Sequence, residues 1–291
     1  MAAARTHFST ILIGLGIEAN EARREAELAL QYVTKMAAHE LLLNANETLS
    51  DDYARHMAEI LHKRGKRMPL QYALGETYFC GLKFAVGPGV LIPRADTETL
   101  VLAASAYISG HIKDKGVFNL LEVGAGSGAI VISLLKQFPQ LHATAFEISP
   151  QAAHFCRLNA ICHGVAERLT LIEEDYAEGL TKLTAHKFDL FLSNPPYVPI
   201  SVVAGLAREV IDHEPRLALV GGGPDGLSFY RSFAKLLPAL EATKRAALMV
   251  EFGDGQELLV EELFAEAGWY DLHLLNDLGG RARVLTSSGW R

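Results

Sequence analysis

Val117-Phe118-Asn119-Leu120-Leu121-Glu122-Val123-Gly124-Ala125-Gly126-Ser127-Gly128-Ala129-Ile130-Val131-Ile132-Ser133-Leu134-Leu135-Lys136-Gln137 is the stretch on which the fold turns. Its first seven residues are almost wholly apolar and short enough for a buried strand. The three glycines that follow allow a tight backbone turn and close approach of a ligand to main-chain atoms. Ala129 to Gln137 then reads as a helix. Strand, glycine turn and helix in this order open a parallel α/β sheet, and open sheets of that kind bind ligands beyond the carboxyl ends of their strands.

The same alternation continues towards the C-terminus. His142–Phe146 is predicted as the second strand. Ser149-Pro150 starts a helix, with the hydroxyl as cap and proline in the first turn, and Gly164 ends it. Leu169–Glu173, Phe188–Ser193 and Ala246–Glu251 are further strands. Leu227–Leu240 and Gln256–Ala267 are further helices. Trp269–Leu275 and Arg281–Thr286 form a closing antiparallel pair. The expected fold class is therefore α/β, a doubly wound sheet, starting near residue 93.

Upstream the texture differs. Phe8, Ile11, Leu12 and Leu15 repeat at helical spacing before Gly16, and Ala22, Ala26, Ala29 and Val33 line a second helix. Ser50 or Asp51 caps a third, carrying Tyr53, Met57, Ile60 and Leu61. This predicts a small all-helical domain over residues 1–75. Tyr78–Val86 alternates with period two before the Gly87-Pro88-Gly89 turn, and Val90-Leu91-Ile92 is expected to pair back. Residues 76–92 thus read as a hairpin linker to a domain spanning 93–291.

Bulk properties limit the function. The chain has 291 residues, 49% of them hydrophobic and 21% charged, as in an ordinary globular protein. A net charge of -7 supplies no broad basic surface for gripping nucleic acid. The basic run His62-Lys63-Arg64-Gly65-Lys66-Arg67 is read as a solvated helix end. Three cysteines without CxxC spacing point to free thiols in a reducing compartment. The eleven histidines show no metal-ligand spacing, so no metal is expected. No apolar run is long enough to span a membrane, and nothing near Arg5 and His7 resembles a secretory signal.

Two constellations carry chemistry. Gly124, Gly126 and Ala129 satisfy a dinucleotide pattern, and Glu147 stands at the end of the second strand, where a carboxylate accepts from ribose hydroxyls. Glu122, just before the glycines, would repel a pyrophosphate and would suit an amino-acid ammonium group. With Gly128 it favours S-adenosylmethionine, a nucleoside without phosphates, over NAD. Asp175 and Tyr176 follow the third strand, where an acid and a ring would border an adenine, although Asp-Tyr there also reads as plain loop. The second constellation is Asn194-Pro195-Pro196-Tyr197. Tandem prolines cannot continue a sheet ladder, so the chain must turn out at the strand end. The Asn194 oxygen and a proline carbonyl can then accept both N–H bonds of a planar –NH2 group, with the Tyr197 ring against its face.

Together, the glycine loop, Glu147, Asp175-Tyr176 and Asn194-Pro195-Pro196-Tyr197 resemble a class I S-adenosylmethionine-dependent methyltransferase acting on an amide or amine nitrogen. Pro69-Leu70-Gln71-Tyr72-Ala73-Leu74-Gly75, Leu91-Ile92-Pro93-Arg94-Ala95-Asp96-Thr97-Glu98, Glu214-Pro215-Arg216-Leu217-Ala218-Leu219, Glu251-Phe252-Gly253 and Asp277-Leu278-Gly279-Gly280-Arg281 narrow the likeness to the peptide-chain release factor glutamine methyltransferases. That family commonly has proline at Ala95, aspartate at Glu147 and tryptophan at Tyr176.

The resemblance implies a seven-stranded, Rossmann-like sheet and S-adenosylmethionine as cofactor, bound by Glu122, Gly124, Ala125, Gly126, Ser127, Gly128, Glu147, Asp175, Tyr176 and Asn194. It implies Asn194, Pro195, Pro196 and Tyr197 as the catalytic set. The implied substrate is the glutamine of the Gly-Gly-Gln loop of a class I release factor, in the cytoplasm, with no direct nucleic-acid partner. Three other readings stand beside it: an adenine-N6 nucleic-acid methyltransferase, an NAD-dependent oxidoreductase, and a non-catalytic cofactor-binding protein.

Overall fold

The computed structural model describes residues 1–112, 116–183, 186–237, 240 and 242–290. They form two compact units, Met1–Glu76 with Ala207–His213, and Thr77–Leu206 with Glu214–Arg291.

The first unit is built from α1 (Ala2–Gly14), α2 (Ala19–Thr34), α3 (Ala38–Leu43), α4 (Asp51–Gly65) and α5 (Leu70–Leu74). Ala22, Ala26, Ala29, Leu30 and Val33 form one buried face of α2, against Phe8, Leu12, Met57 and Ile60. The Ser50 hydroxyl accepts from the Tyr53 N–H at 3.3 Å and caps α4. Acids in the first turn of α4 and bases in its last complement the helix dipole. The basic run at 62–67 is not all solvated. Arg64 is 1% exposed and donates to both carboxylate oxygens of Glu25, at 2.7 and 2.8 Å. A bidentate pair lets this guanidinium be buried at a helix end that its neighbours read as polar.

A hairpin of β1 (Glu76–Phe79) and β2 (Leu82–Ala85) follows, all but its first residue in the second unit. Its turn is Cys80-Gly81, both at positive φ, as tight two-residue hairpins require. The expected pairing of Val90–Ile92 does not form, because this earlier turn has already consumed the alternating run. Residues 90–92 are irregular, with Val90 and Ile92 buried and the Ile92 N–H donating to Glu214. The hairpin buries Phe79 and Phe84 in the core of this unit. Asn159 accepts from the Ala85 N–H at 2.7 Å and donates to its carbonyl at 3.0 Å.

The elements that follow are α6 (Glu98–His111), β3 (Phe118–Val123), α7 (Ala129–Gln137), β4 (Leu141–Phe146), α8 (Pro150–Cys162), β5 (Leu169–Ile172), α9 (Tyr176–Gly179) and β6 (Phe188–Ser193). Next come α10 (Arg208–His213), α11 (Arg216–Leu219), α12 (Ser228–Leu236), β7 (Ala242–Glu251), α13 (Glu257–Glu266), β8 (Trp269–Asn276) and β9 (Ala282–Trp290). Of the helix expected at 227–240, residues 238–239 lie outside the described residues. The segment carrying α10 belongs to the helical unit, where Glu209 pairs with Arg64 at 3.5 Å and Arg67 at 3.1 Å.

The sheet has seven strands in the order β5-β4-β3-β6-β7-β9-β8. The first five are parallel, and β9 and β8 add an antiparallel edge. Side chains alternate between two apolar layers. Leu120, Leu190, Leu192 and Met249 face α6, α7 and the hairpin, whereas Leu121, Phe191, Leu248 and Val250 face α12 and α13. Helices on both faces explain why the central strands β3 and β6 are mostly apolar and buried on both sides rather than at every second position. The strand order reverses between β3 and β6, which pair in register with Val123 opposite Ser193. The Ser193 hydroxyl donates to the Val123 carbonyl at 2.8 Å. The loops leaving these two strands therefore start side by side at the topological switch, where open α/β sheets take ligands.

Candidate active site

The glycine loop begins where Gly124 and Ala125 donate to the Phe146 carbonyl at 2.9 and 3.0 Å. Gly124 has φ +80° and lies against the Asn194 carbonyl, so the two switch-point loops touch. Gly128 has φ +81°, and a Cβ there would stand 2.6 Å from Ile132 and 2.9 Å from Cys156. Only glycine fits both that backbone and that space.

Glu147 braces the loop. One carboxylate oxygen accepts from the Gly126 N–H at 2.8 Å and the other from the Ser149 N–H at 2.8 Å. Burial raises its pKa, and these backbone bonds oppose the rise. Each oxygen keeps a lone pair for a further donor. Ser149 caps α8, as its spacing predicts.

A cavity of about 270 Å³ opens here. Gly124, Gly126, Glu147, Asp175, Tyr176, Asn194, Pro195 and Pro196 all line it. Asp175 also caps α9 by accepting from the Ala177 N–H at 2.8 Å, and Tyr176 packs on Phe229 with ring centres 5.0 Å apart. Among the described residues, three carboxylates, Glu147, Glu174 and Asp175, line this cavity, and no lysine, arginine or histidine does. That donor set is hostile to a pyrophosphate and hospitable to a cationic nucleoside.

Four sequence candidates lie elsewhere. Glu122 is 0% exposed and does not line this cavity. Burial raises its pKa well above the usual carboxylate range. Ala125 packs on Ala145 and Cys156. Ser127 is buried, and its carbonyl accepts from Asn159 at 2.9 Å. Gly128 caps α7.

A second, smaller cavity of about 50 Å³ is lined by Leu91, Arg94, Asn194, Pro195, Tyr197, Val198, Ala218 and Leu219. Asn194 and Pro195 line both cavities and so form the wall between them. The backbone beyond them is locked. Val198 bridges to Val220, Gly221 and Gly226 leave room for the Pro196 and Tyr197 carbonyls, and Gln256 donates to the Tyr197 carbonyl at 2.9 Å. Among the described residues no donor bonds the Pro195 carbonyl.

Sequence reasoning did not identify Thr97, Glu251, Phe229 or Leu91 as site residues. The Asn194 Nδ2 donates to the Thr97 hydroxyl at 3.0 Å. The Tyr197 hydroxyl donates to Glu251 Oε1 at 3.3 Å. Burial lifts Glu251 to about 7, while the Thr97 and Tyr197 hydroxyls beside it and the charge of Arg283 pull it down. Burial, and after it the Glu251 charge, raise the Tyr197 phenol well above its ordinary value. Thr97 and Glu251 both sit within segments that carry the family likeness, which was the available signal.

No helix among the described residues is long and apolar enough to cross a membrane, and no cluster of histidine, cysteine or acid is placed to hold a metal ion. Residues 4–75 match the family described as PrmC N-terminal domain, and residues 98–223 match the one described as Methyltransferase small domain. The release factor glutamine methyltransferase of Geobacter sulfurreducens is 37% identical over 270 residues, covering 93% of this chain and 90% of that protein. Its counterpart in Bacillus cereus is 34% identical over 260 residues, covering 89% and 90%. The crystal structure of a methyltransferase from Pyrococcus furiosus aligns over 80% of this chain and 98% of its own, at 16% identity and a TM-score of 0.49.

Proposed function

The chain belongs to the release factor glutamine methyltransferases, and from that premise we propose that it methylates the side-chain nitrogen of the glutamine in the Gly-Gly-Gln loop of a class I release factor. The observation that carries the reading is the wall of Asn194 and Pro195 shared by two cavities, one suited to a cationic nucleoside and one small enough for a carboxamide. S-adenosylmethionine, when bound, supplies a methyl group already activated on a sulfonium sulfur.

Gly124 and Gly126 would admit the cofactor against the backbone, and the free lone pairs of Glu147 would accept from its ribose. Asp175 would accept from the adenine amine, beside Tyr176 and Phe229. The Asn194 oxygen and the Pro195 carbonyl would each accept one N–H of the glutamine amide. Held so, the nitrogen would face the methyl group, and the two acceptors would stabilise the positive charge it gains as it takes the methyl and the carbon–sulfur bond breaks to leave a neutral thioether. Tyr197 would flank the amide plane. The nitrogen then gives up a proton to water, and no residue is assigned as base.

The helical unit is proposed to hold the protein substrate, and the three free thiols suit a cytoplasmic setting. The acid-lined cavity and the net charge argue against a nucleic-acid substrate.

The test is mass spectrometry of a release factor after incubation with enzyme and S-adenosylmethionine, with DNA and RNA in parallel. One added methyl on the Gly-Gly-Gln glutamine is expected, with Asn194→Ala inactive but still binding cofactor. Methyl transfer to nucleic acid alone, or an active Asn194→Ala, refutes the assignment.

A further inference from the structure

A glutamine whose carboxamide enters the smaller cavity leaves its main chain outside, because about 50 Å³ has room for little more than the amide group. At the mouth, the loop on either side of that glutamine lies against the protein. In a Gly-Gly-Gln loop the two residues before the acceptor have no side chains, so what they present is backbone N–H and C=O. A carbonyl pressed against the protein without a donor weakens the complex.

Donors on this wall are few. The Tyr197 hydroxyl is engaged with Glu251 at 3.3 Å, and the Asn194 Nδ2 with Thr97 at 3.0 Å. Arg94 is the one charged residue among those lining the cavity. Its side chain is 40% exposed, so it reaches from the cavity wall to solvent. Its Nη2 donates to Glu214 Oε1 at 2.5 Å, and no other acceptor among the described residues bonds the guanidinium. A guanidinium has five N–H donors in a rigid fork. Glu214 takes one of them, so the fork holds more donors than its ion pair uses.

The segment carrying Arg94 is tied down at both ends. The Glu214 side chain is 1% exposed, and its second oxygen accepts from the Ile92 N–H at 3.3 Å. Directly after Arg94 comes a 3-10 turn, Ala95–Thr97, whose Thr97 hydroxyl accepts from Asn194. The inner carboxylate thus fixes the outer guanidinium beside Asn194.

We propose that Arg94 is a specificity-determining residue for the methyl acceptor: its spare N–H groups donate to main-chain carbonyls next to the acceptor glutamine, and the site thereby selects a loop that presents bare backbone. Arg94 takes no part in the transfer of the methyl group, so its loss weakens acceptor binding and leaves the chemical step intact.

The inference rests on the glutamine-methylation reading and names a contact beside that glutamine. The test is the initial rate of methyl transfer to an intact release factor at saturating S-adenosylmethionine, which gives KM and kcat for each variant. Arg94→Gln keeps one N–H for Glu214 but removes the fork and its charge. Its KM for the release factor should rise about 10- to 100-fold, with kcat within about threefold and the cofactor Kd by calorimetry within about twofold. Arg94→Lys, charged but without the fork, should fall between this variant and wild type. Glu214→Gln breaks the same ion pair and leaves the guanidinium at the mouth, so its KM should rise no more than about threefold.

An unchanged KM in Arg94→Gln overturns the proposal. So does an equal rise in Glu214→Gln and Arg94→Gln, because the arginine would then serve only its ion pair, and so does a cofactor Kd that rises in step with KM. If Arg94→Gln does not fold, Arg94→Lys carries the comparison, and a wild-type KM there is the refuting result. Wild-type enzyme that methylates DNA or RNA and no release factor overturns the substrate reading and this inference together, an outcome told apart because it needs no variant.

Discussion

Replacing Glu251 by Gln should stabilise the protein at alkaline pH and leave it almost unchanged in mild acid. Glutamine has the shape of the protonated acid, so the comparison isolates the cost of the buried charge. Burial moves the carboxyl from 4.5 to about 7. The native state therefore holds a proton that the unfolded chain has lost, and the stability this confers is present in full below 4.5 and gone once pH passes 7. That interval, at about 1.4 kcal/mol per pH unit, amounts to about 3 kcal/mol. In a domain of this size it corresponds to roughly 5–10 °C in Tm. Glu25 and Glu147 shift in the same direction, but they are common to both proteins and cancel. Asp225, Asp271 and Asp277 are lowered and act only in stronger acid. Equilibrium urea unfolding of wild type and Glu251→Gln at about pH 4.5 and pH 8 gives the two differences directly. Parallel pH dependence of the two proteins would refute the reasoning.

Glu147→Ala frees the Gly126 and Ser149 N–H groups and removes the ribose acceptor; cofactor Kd should rise at least about tenfold by calorimetry, and an unchanged value counts against it. Gly128→Ala meets Ile132 and Cys156 at a positive φ and should cost about 1–3 kcal/mol in urea unfolding, a loss below about 0.5 kcal/mol being inconsistent with the packing. Arg64→Met leaves Glu25 buried without its partner and should destabilise the helical unit by about 3–5 kcal/mol, most of it recovered by adding Glu25→Leu; failure of the second change to rescue would refute the pairing.

Elements with strong periodicity were legible from residues alone. α7 and β6 match their predicted bounds, and the Ser149-Pro150 and Ser50 caps mark helix starts that the structure shows. Short elements were not. α3, α5, α9, α10 and α11 have four to six residues, too few for a helical period to show. The hairpin was placed too late because Cys80 is not a residue that announces a left-handed turn. Neighbouring residues of a strand face opposite sides, so Val123 lines the cavity and Glu122 does not, a difference that the run of residues does not announce.

Local chemistry written in the chain determined the alternation of strand and helix, the glycine turn, and the break that two prolines force after Ser193. Folding alone decided which groups far apart in the chain would share a bond. Thr97, Asn194 and Glu251 come from three separate segments, and only the parallel register of β6 and β7 sets the last two side by side. Hydrogen bonds act over about 3 Å, and no spacing along a chain encodes a distance of that kind between residues so remote in sequence.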